Sequence, residues 1–143
     1  MNNADCNIVD DLNVISHRVK NQLSNAYKAE FDDISYEQCR ILMSMYRNQN
    51  NTYNQNFLVK KLNKSKSLVT RWLTHLEAIG LISRNREGRD IYLSITHEGK
   101  RRCERLYEVQ HLIESKLLKD LQDDAIVSLS SLLKCLIKGT ESL

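Results

Sequence analysis

The sequence predicts a mainly α-helical fold carrying one small β-hairpin, an α+β class, and three observations predict it. The 143-residue chain contains no proline and only four glycines, so the usual interrupters of helices are nearly missing. Apolar side chains recur at three- and four-residue steps along most of the chain, which is the spacing of one helix face. Between residues 81 and 96 that spacing gives way to alternation, the period of a half-buried strand.

Taken in order, the first helix runs from about Ile8 to Glu30, with Leu12, Ile15, Val19, Leu23 and Tyr27 on one stripe. A second begins at Ser35, whose hydroxyl can cap the first turn while Gln38 completes a capping box, and Ile41, Leu42 and Met45 form its buried face. The polar stretch RNQNNTYNQN is a loop, in which Thr52 and Gln55 offer a capping box for a short helix through Leu62. Leu58 and Leu62 share a face of that helix. After a turn at Asn63 and Lys64, Ser65 caps a further run with Val69, Trp72, Leu73, Leu76 and Ile79 as its core stripe. Gly80 sits where a helix stop belongs. A short helix, a tight turn and a second amphipathic helix make a helix-turn-helix.

The run LISR, then NREG, then RDIYLSIT reads as a β-hairpin with its tip near Glu87 and Gly88, the turn type left open. Thr96 caps a long helix to about Leu118, with Cys103, Leu106, Val109 or Gln110, Ile113 and Leu117 facing inward. Asp120 caps a last helix, on which Ile126, Leu129, Leu132, Leu133, Leu136 and Ile137 form a broad apolar face. A hairpin following directly on a helix-turn-helix is a wing, so the expected architecture is a winged helix-turn-helix over residues 35–96. Helices at 1–34 and 97–143 flank it.

Charge is unevenly placed. From Lys60 to Arg105 there are twelve Lys or Arg against five Asp or Glu, while the remainder carries nine against thirteen. A concentrated positive field suits a polyanion, because each neutralised phosphate releases condensed counterions. No apolar run approaches the roughly 18 residues that cross a bilayer. The polar start MNNADCN is no signal peptide, so a cytoplasmic protein is expected.

The segments ISYEQCRIL, LVKKLNKSKSLVTRWLTHLEAIGLISR, IYLSITHEGKR and LLKDLQDDAIVSLSSLLKCLIKG, in that order, resemble the MarR family of bacterial winged-helix transcription regulators over nearly the whole chain. Each motif alone is weak, whereas the ordered set is specific. The family wing usually carries Asp-x-Arg at its tip; here Glu87, Gly88 and Arg89 stand there, and the wing is a few residues shorter. The resemblance implies Arg89 as the wing-tip arginine, or Arg86 if the hairpin register differs. It also implies repression and control by a ligand or by redox chemistry.

A major groove about 12 Å wide admits one helix. On the helix opening at Ser65, the face opposite the apolar stripe offers Lys66, Ser67, Thr70, Arg71 and Thr74. Ser65, Lys66, Ser67, Thr70 and Arg71 are therefore the expected contacts, with Arg71 able to reach guanine in bidentate fashion. Arg84, Arg86 and Arg89 would lie over the backbone or minor groove. Trp72 belongs to the core, Thr74 to solvent, and Lys60 and Lys61 read as solvated charges. The terminal helices have no obvious role in covering the winged helix, so pairing between two chains on a pseudo-palindromic site is expected.

An anionic or phenolic effector would draw on His17, Arg18, Cys39 and Tyr46. Of the four cysteines, Cys39, Cys103 and Cys135 fall on or beside apolar stripes, and Cys6 is the candidate redox thiol. A redox-sensing regulator, or a winged helix that binds protein alone, are the alternatives. His17, His75, His97 and His111 lack zinc-site spacing, so neither metal nor cofactor is expected. No phosphate loop, nucleophile elbow or His-x-x-x-His pair is present, and the chain does not read as an enzyme.

Overall fold

The computed structural model describes residues 6–48 and 53–143. The helices are α1 (Ile8–Glu30), α2 (Tyr36–Arg47), α3 (Gln55–Leu62), α4 (Lys66–Ala78), α5 (His97–Leu117) and α6 (Asp123–Thr140). The strands are β1 (Tyr53–Asn54), β2 (Ile82–Glu87) and β3 (Asp90–Ile95). They form one antiparallel sheet in the order β1-β3-β2. The chain divides into two compact units between Gln110 and His111.

In the first unit the core is built from α2, α3, α4, the sheet and the first turns of α5. Ile41, Leu42, Leu58, Leu73, Leu76, Leu81 and Leu106 are fully buried. Ser35 and Gln38 make the reciprocal capping box that starts α2: Gln38 N donates to Ser35 Oγ at 3.2 Å and Ser35 N donates to Gln38 Oε1 at 2.9 Å. The Gln38 amide then donates to the Trp72 carbonyl at 3.1 Å and lies 2.8 Å from His75 Nδ1. One local cap thereby also ties α2 to α4.

Three local expectations change. The start of α3 is capped by Asn54, whose side chain accepts from Phe57 N at 2.7 Å, and not by the box of Thr52 and Gln55. Thr52 lies outside the described residues, and Gln55 opens the helix with its side chain buried. Asn54 wins because it is extended and paired with Tyr92, which delivers its amide to the first turn. The hairpin is tighter than expected: β2 runs through Asn85 and Arg86 to Glu87, leaving Gly88 and Arg89 as a two-residue turn. Gly88 has φ +62°, the glycine-first pattern of a type II′ hairpin. Asp120 does not cap α6. Leu121 N donates to the Leu118 carbonyl at 3.0 Å, closing a turn, and the helix begins at Asp123. Asp123 and Asp124 then face its positive end.

Helix α4 ends in a Schellman motif. Gly80, at φ +80°, donates to the Glu77 carbonyl at 3.0 Å, and Leu81 N donates to the Leu76 carbonyl at 3.0 Å. The chain returns to this point sixteen residues later, where Thr96 Oγ1 donates to the Gly80 carbonyl at 2.6 Å and accepts from Gly99 N at 3.1 Å. Thr96 N also donates to the Leu81 carbonyl at 3.1 Å. Gly99 presses so closely on Leu81 that a Cβ there would run into the Leu81 carbonyl oxygen and the Ile95 side chain.

Helix α1 is buried only in its second half, at Leu23 and Tyr27, whereas Leu12 and Ile15 of the same stripe are exposed. Tyr27 stacks on Tyr36 at 5.9 Å and donates to Gln110 Oε1 at 3.0 Å, and burial pushes its pKa up to about 12. Arg102 grips Asp33 with two bonds of 2.7 and 2.9 Å and lies 4.7 Å over the Phe31 ring. Arg105 reaches Glu30 in the same forked way, at 2.8 and 3.0 Å. In the second unit no residue of α6 is buried: Val127, Leu132, Leu136 and Ile137 stand between 45% and 67% exposed. Leu117, expected to face inward, is 54% exposed.

Two outcomes follow from these contacts. Gly99→Ala should lower stability by about 1–3 kcal/mol in chemical denaturation, because backbone rather than a flexible side chain must give way. The Arg102 bonds hold the Asp33 carboxyl below its ordinary value, so its contribution is complete above about pH 4 and is lost as pH falls through the folded-state pKa. Urea midpoints measured from pH 6 downward should therefore fall more steeply for wild type than for Arg102→Met.

Candidate nucleic-acid interface

The site is built on α4. Ser65 is extended, and its hydroxyl accepts from Leu68 N at 3.2 Å, which starts the helix cleanly with Lys66 as its first residue. Val69, Leu73 and Leu76 are fully buried, and these three fix how the helix is rolled. Lys66, Ser67, Arg71 and Thr74 are consequently exposed, with Thr70 half-buried between them and Trp72 half-buried on the core side. No carboxylate of the described residues pairs with Lys66 or Arg71.

Thr70 is held from behind. Gln55, on α3, donates through Nε2 to Thr70 Oγ1 at 2.7 Å. Sequence reasoning missed this bond, because it joins residues fifteen apart that carry no shared motif. Thr74 donates its hydroxyl to the Thr70 carbonyl at 2.8 Å. The turn before α4 depends on Asn63, whose left-handed backbone at φ 50° is one that asparagine tolerates.

Wing residues differ in what they offer. Arg86 and Arg89 are exposed and carry no ion pair among the described residues, Arg89 at the tip itself. Arg84 is instead engaged: its backbone N donates to Glu77 Oε2 at 2.9 Å, and its guanidinium reaches Glu77 Oε1 at 3.1 and 3.3 Å. These bonds hold the Glu77 carboxyl below its ordinary value. They also join the last turn of α4 to the first strand of the wing, so Arg84 acts as a brace. Lys61 is exposed and also donates to Ser44 Oγ at 2.7 Å, and Ser44 in turn lies 2.9 Å from the Tyr53 hydroxyl. Burial, followed by the charges of Arg47 and Arg40, lowers the Lys61 pKa.

A three-stranded sheet whose hairpin leaves the end of a helix-turn-helix, with a basic, exposed second helix, defines a winged helix-turn-helix protein. Residues 34–90 match the model of the MarR family. The DNA complex of MepR from Staphylococcus aureus is similar, with 25% identity, a TM-score of 0.74, and coverage of 90% of this chain and 94% of that one. A MarR transcriptional regulator from Methanosarcina mazei shares the fold, with 18% identity, a TM-score of 0.82, and coverage of 94% and 90%. MarR of E. coli shares it with 21% identity, a TM-score of 0.74, and coverage of 91% and 96%. A comparison with curated proteins gives no match. The family and these solved relatives are transcription regulators and not enzymes. No helix among the described residues is long and apolar enough to cross a membrane.

The residues expected to meet an effector differ in exposure. His17 and Arg18 are exposed on α1, where His17 Nε2 lies 3.3 Å from the Asn21 amide. Tyr46 is half-buried and packs on Tyr107 at 5.9 Å. Cys39 has no exposed surface and presents nothing to a ligand. Cys6 and Cys135 are exposed, whereas Cys39 and Cys103 are buried, and desolvation pushes both buried thiols up to about 12. Among the described residues no group of three His, Cys, Asp or Glu could hold a metal ion. With a disulfide reagent at pH 8, Cys6 should react quickly, and Cys39 and Cys103 only at the rate at which the fold opens. Peptide mapping of the labelled chain would check this.

Proposed function

We propose that the chain is a sequence-specific, double-stranded-DNA-binding transcription regulator that acts as a homodimer and represses by occupying a pseudo-palindromic site. The observation that carries the reading is α4: a helix rolled by Val69, Leu73 and Leu76 so that Lys66, Ser67, Thr70 and Arg71 face outward without carboxylate partners. Its N-terminus, with Ser65, meets phosphate, because the first N–H groups and the helix dipole favour anions. Arg71 reads a base edge in the major groove. The wing crosses to the backbone or minor groove, where Arg86 and Arg89 supply the charge. Arg84 keeps the wing at its angle to α4 through Glu77 and reaches DNA only by giving up that pair.

Dimerisation is favoured by the apolar residues that the single chain leaves exposed: Ile8, Leu12 and Ile15 on α1, and Leu132, Leu133 and Leu136 on α6. A monomer gains nothing by carrying two such stripes into water, and covering them with a second copy removes the cost. On this reading residues 1–34 and 97–143 pair the chains while residues 35–96 bind DNA. Control by an anionic or phenolic effector draws on His17, Arg18 and Tyr46, and it acts only by favouring one spacing of the two DNA-binding lobes over the other. A redox variant of the same control rests on Cys6, exposed just ahead of α1.

Lys66→Ala should weaken binding by a similar factor on every duplex and reduce the slope of log affinity against log salt by about 1 per chain. Arg71→Ala should cost affinity and relax preference at one base pair of each half-site. Electrophoretic shifts on the chain's own upstream DNA, across a salt series, read both. An unchanged affinity and slope for Lys66→Ala would remove that contact, and a monomer in sedimentation at micromolar concentration would remove the dimer.

A further inference from the structure

We infer that Gln55, a residue with almost no exposed surface, sets the hydrogen-bonding sense of the Thr70 hydroxyl and so makes Thr70 a donor toward an acceptor atom of the duplex. The inference rests on the reading that α4 enters DNA, and it concerns a residue that cannot itself touch the duplex.

Gln55 is 4% exposed at the first position of α3, and its Nε2 lies 2.7 Å from Thr70 Oγ1. Its Oε1 is buried without a partner among the described residues. The opposite orientation of the amide would leave an NH2 group unpaired instead of a carbonyl. Orphaned N–H groups are the rarer and costlier case, so the nitrogen belongs on Thr70. A hydroxyl has one proton and two lone pairs. The amide occupies one lone pair, and no acceptor among the described residues takes the proton. The neighbouring Thr74 hydroxyl goes to the Thr70 carbonyl, not to its side chain.

The proton is therefore left pointing away from the amide, on the half-exposed side of Thr70 between Lys66, Ser67, Arg71 and Thr74. It suits a phosphate oxygen, guanine O6 or N7, or thymine O4, and it discriminates against the amino groups of adenine and cytosine. Stability does not account for the amide. A methionine of similar length would fill the same space without burying an unpaired carbonyl. A polar group kept where an apolar one is cheaper to bury has a use outside the core.

The test uses the full chain, on the tightest duplex that the wild type recovers from a random-sequence pool. Gln55→Met should melt at the wild-type temperature or above it, and bind roughly tenfold more weakly, the loss expected for one hydrogen bond to a polar or charged acceptor. Thr70→Val should lose a similar factor, Thr70→Ser should lose little, and the double variant should lose no more than either single one. Gln55→Glu serves if Gln55→Met does not fold: its carboxylate takes the Thr70 proton, so affinity should again fall about tenfold. A uniform loss across duplexes means a phosphate acceptor and a loss confined to one base pair means a base edge; either supports the proposal.

The inference is overturned if the Gln55→Met loss persists in full in the Thr70→Val background, since Gln55 then acts by packing α3. It is also overturned if Thr70→Val binds like wild type while Lys66→Ala and Arg71→Ala bind poorly, and in that case the α4 reading survives. If all of these variants bind like wild type, or the wild type recovers no duplex, the α4 reading fails and the inference goes with it.

Discussion

The geometry of the exposed face of α4 and of the wing depends on one crowded backbone junction. Leu81 follows the last turn of α4, and its carbonyl accepts from Thr96 at the far end of the hairpin while Gly99 of α5 packs directly against it. Thr96 bonds Gly80 and Gly99 at once. Three elements thus begin or end within one small volume, held by the Leu81 carbonyl, the Gly99 backbone and one threonine hydroxyl. Arg84, whose backbone N and guanidinium both bond Glu77, braces the wing against the last turn of α4. Side chains farther out inherit their positions from this point.

That arrangement explains how the charge of the chain is used. The basic block from Lys60 to Arg105 reads as a single field in the sequence, yet its members do different work. Arg84, Arg101, Arg102 and Arg105 are spent on Glu77, Glu98, Asp33 and Glu30. Lys66, Arg71, Arg86 and Arg89 are left outward. The first group holds the scaffold, and the second faces solvent without a competing carboxylate among the described residues.

Most of the fold was legible because its signals are local. Ser35 with Gln38, Ser65, and Thr96 lie within three residues of the groups they cap, and Gly80 announces its own positive φ. What stayed hidden is tertiary. The two residues of β1 are too few to show a period, and Asn54 displaced the expected cap because pairing with β3 had already extended it. Asp120 carried the right chemistry for a cap, but the turn closed by Leu121 moved the helix start past it. At the site, the burial of one face of α4 could be read from apolar spacing. The engagement of Arg84 and the Gln55 bond to Thr70 could not, because each depends on a partner brought in by the fold.

The two forked arginine pairs also set an order of assembly. Arg102 with Asp33 and Arg105 with Glu30 join points 69 and 75 residues apart in the chain. During synthesis α1 emerges well before its anchors on α5, so its C-terminal end stays unpinned until Arg102 and Arg105 appear. The nascent chain is thus most exposed to chaperones and proteases just before α5 appears. Lesions at Arg102 or Arg105 should therefore tell first on how much protein accumulates in the cell, before any effect on the finished molecule's grip on DNA.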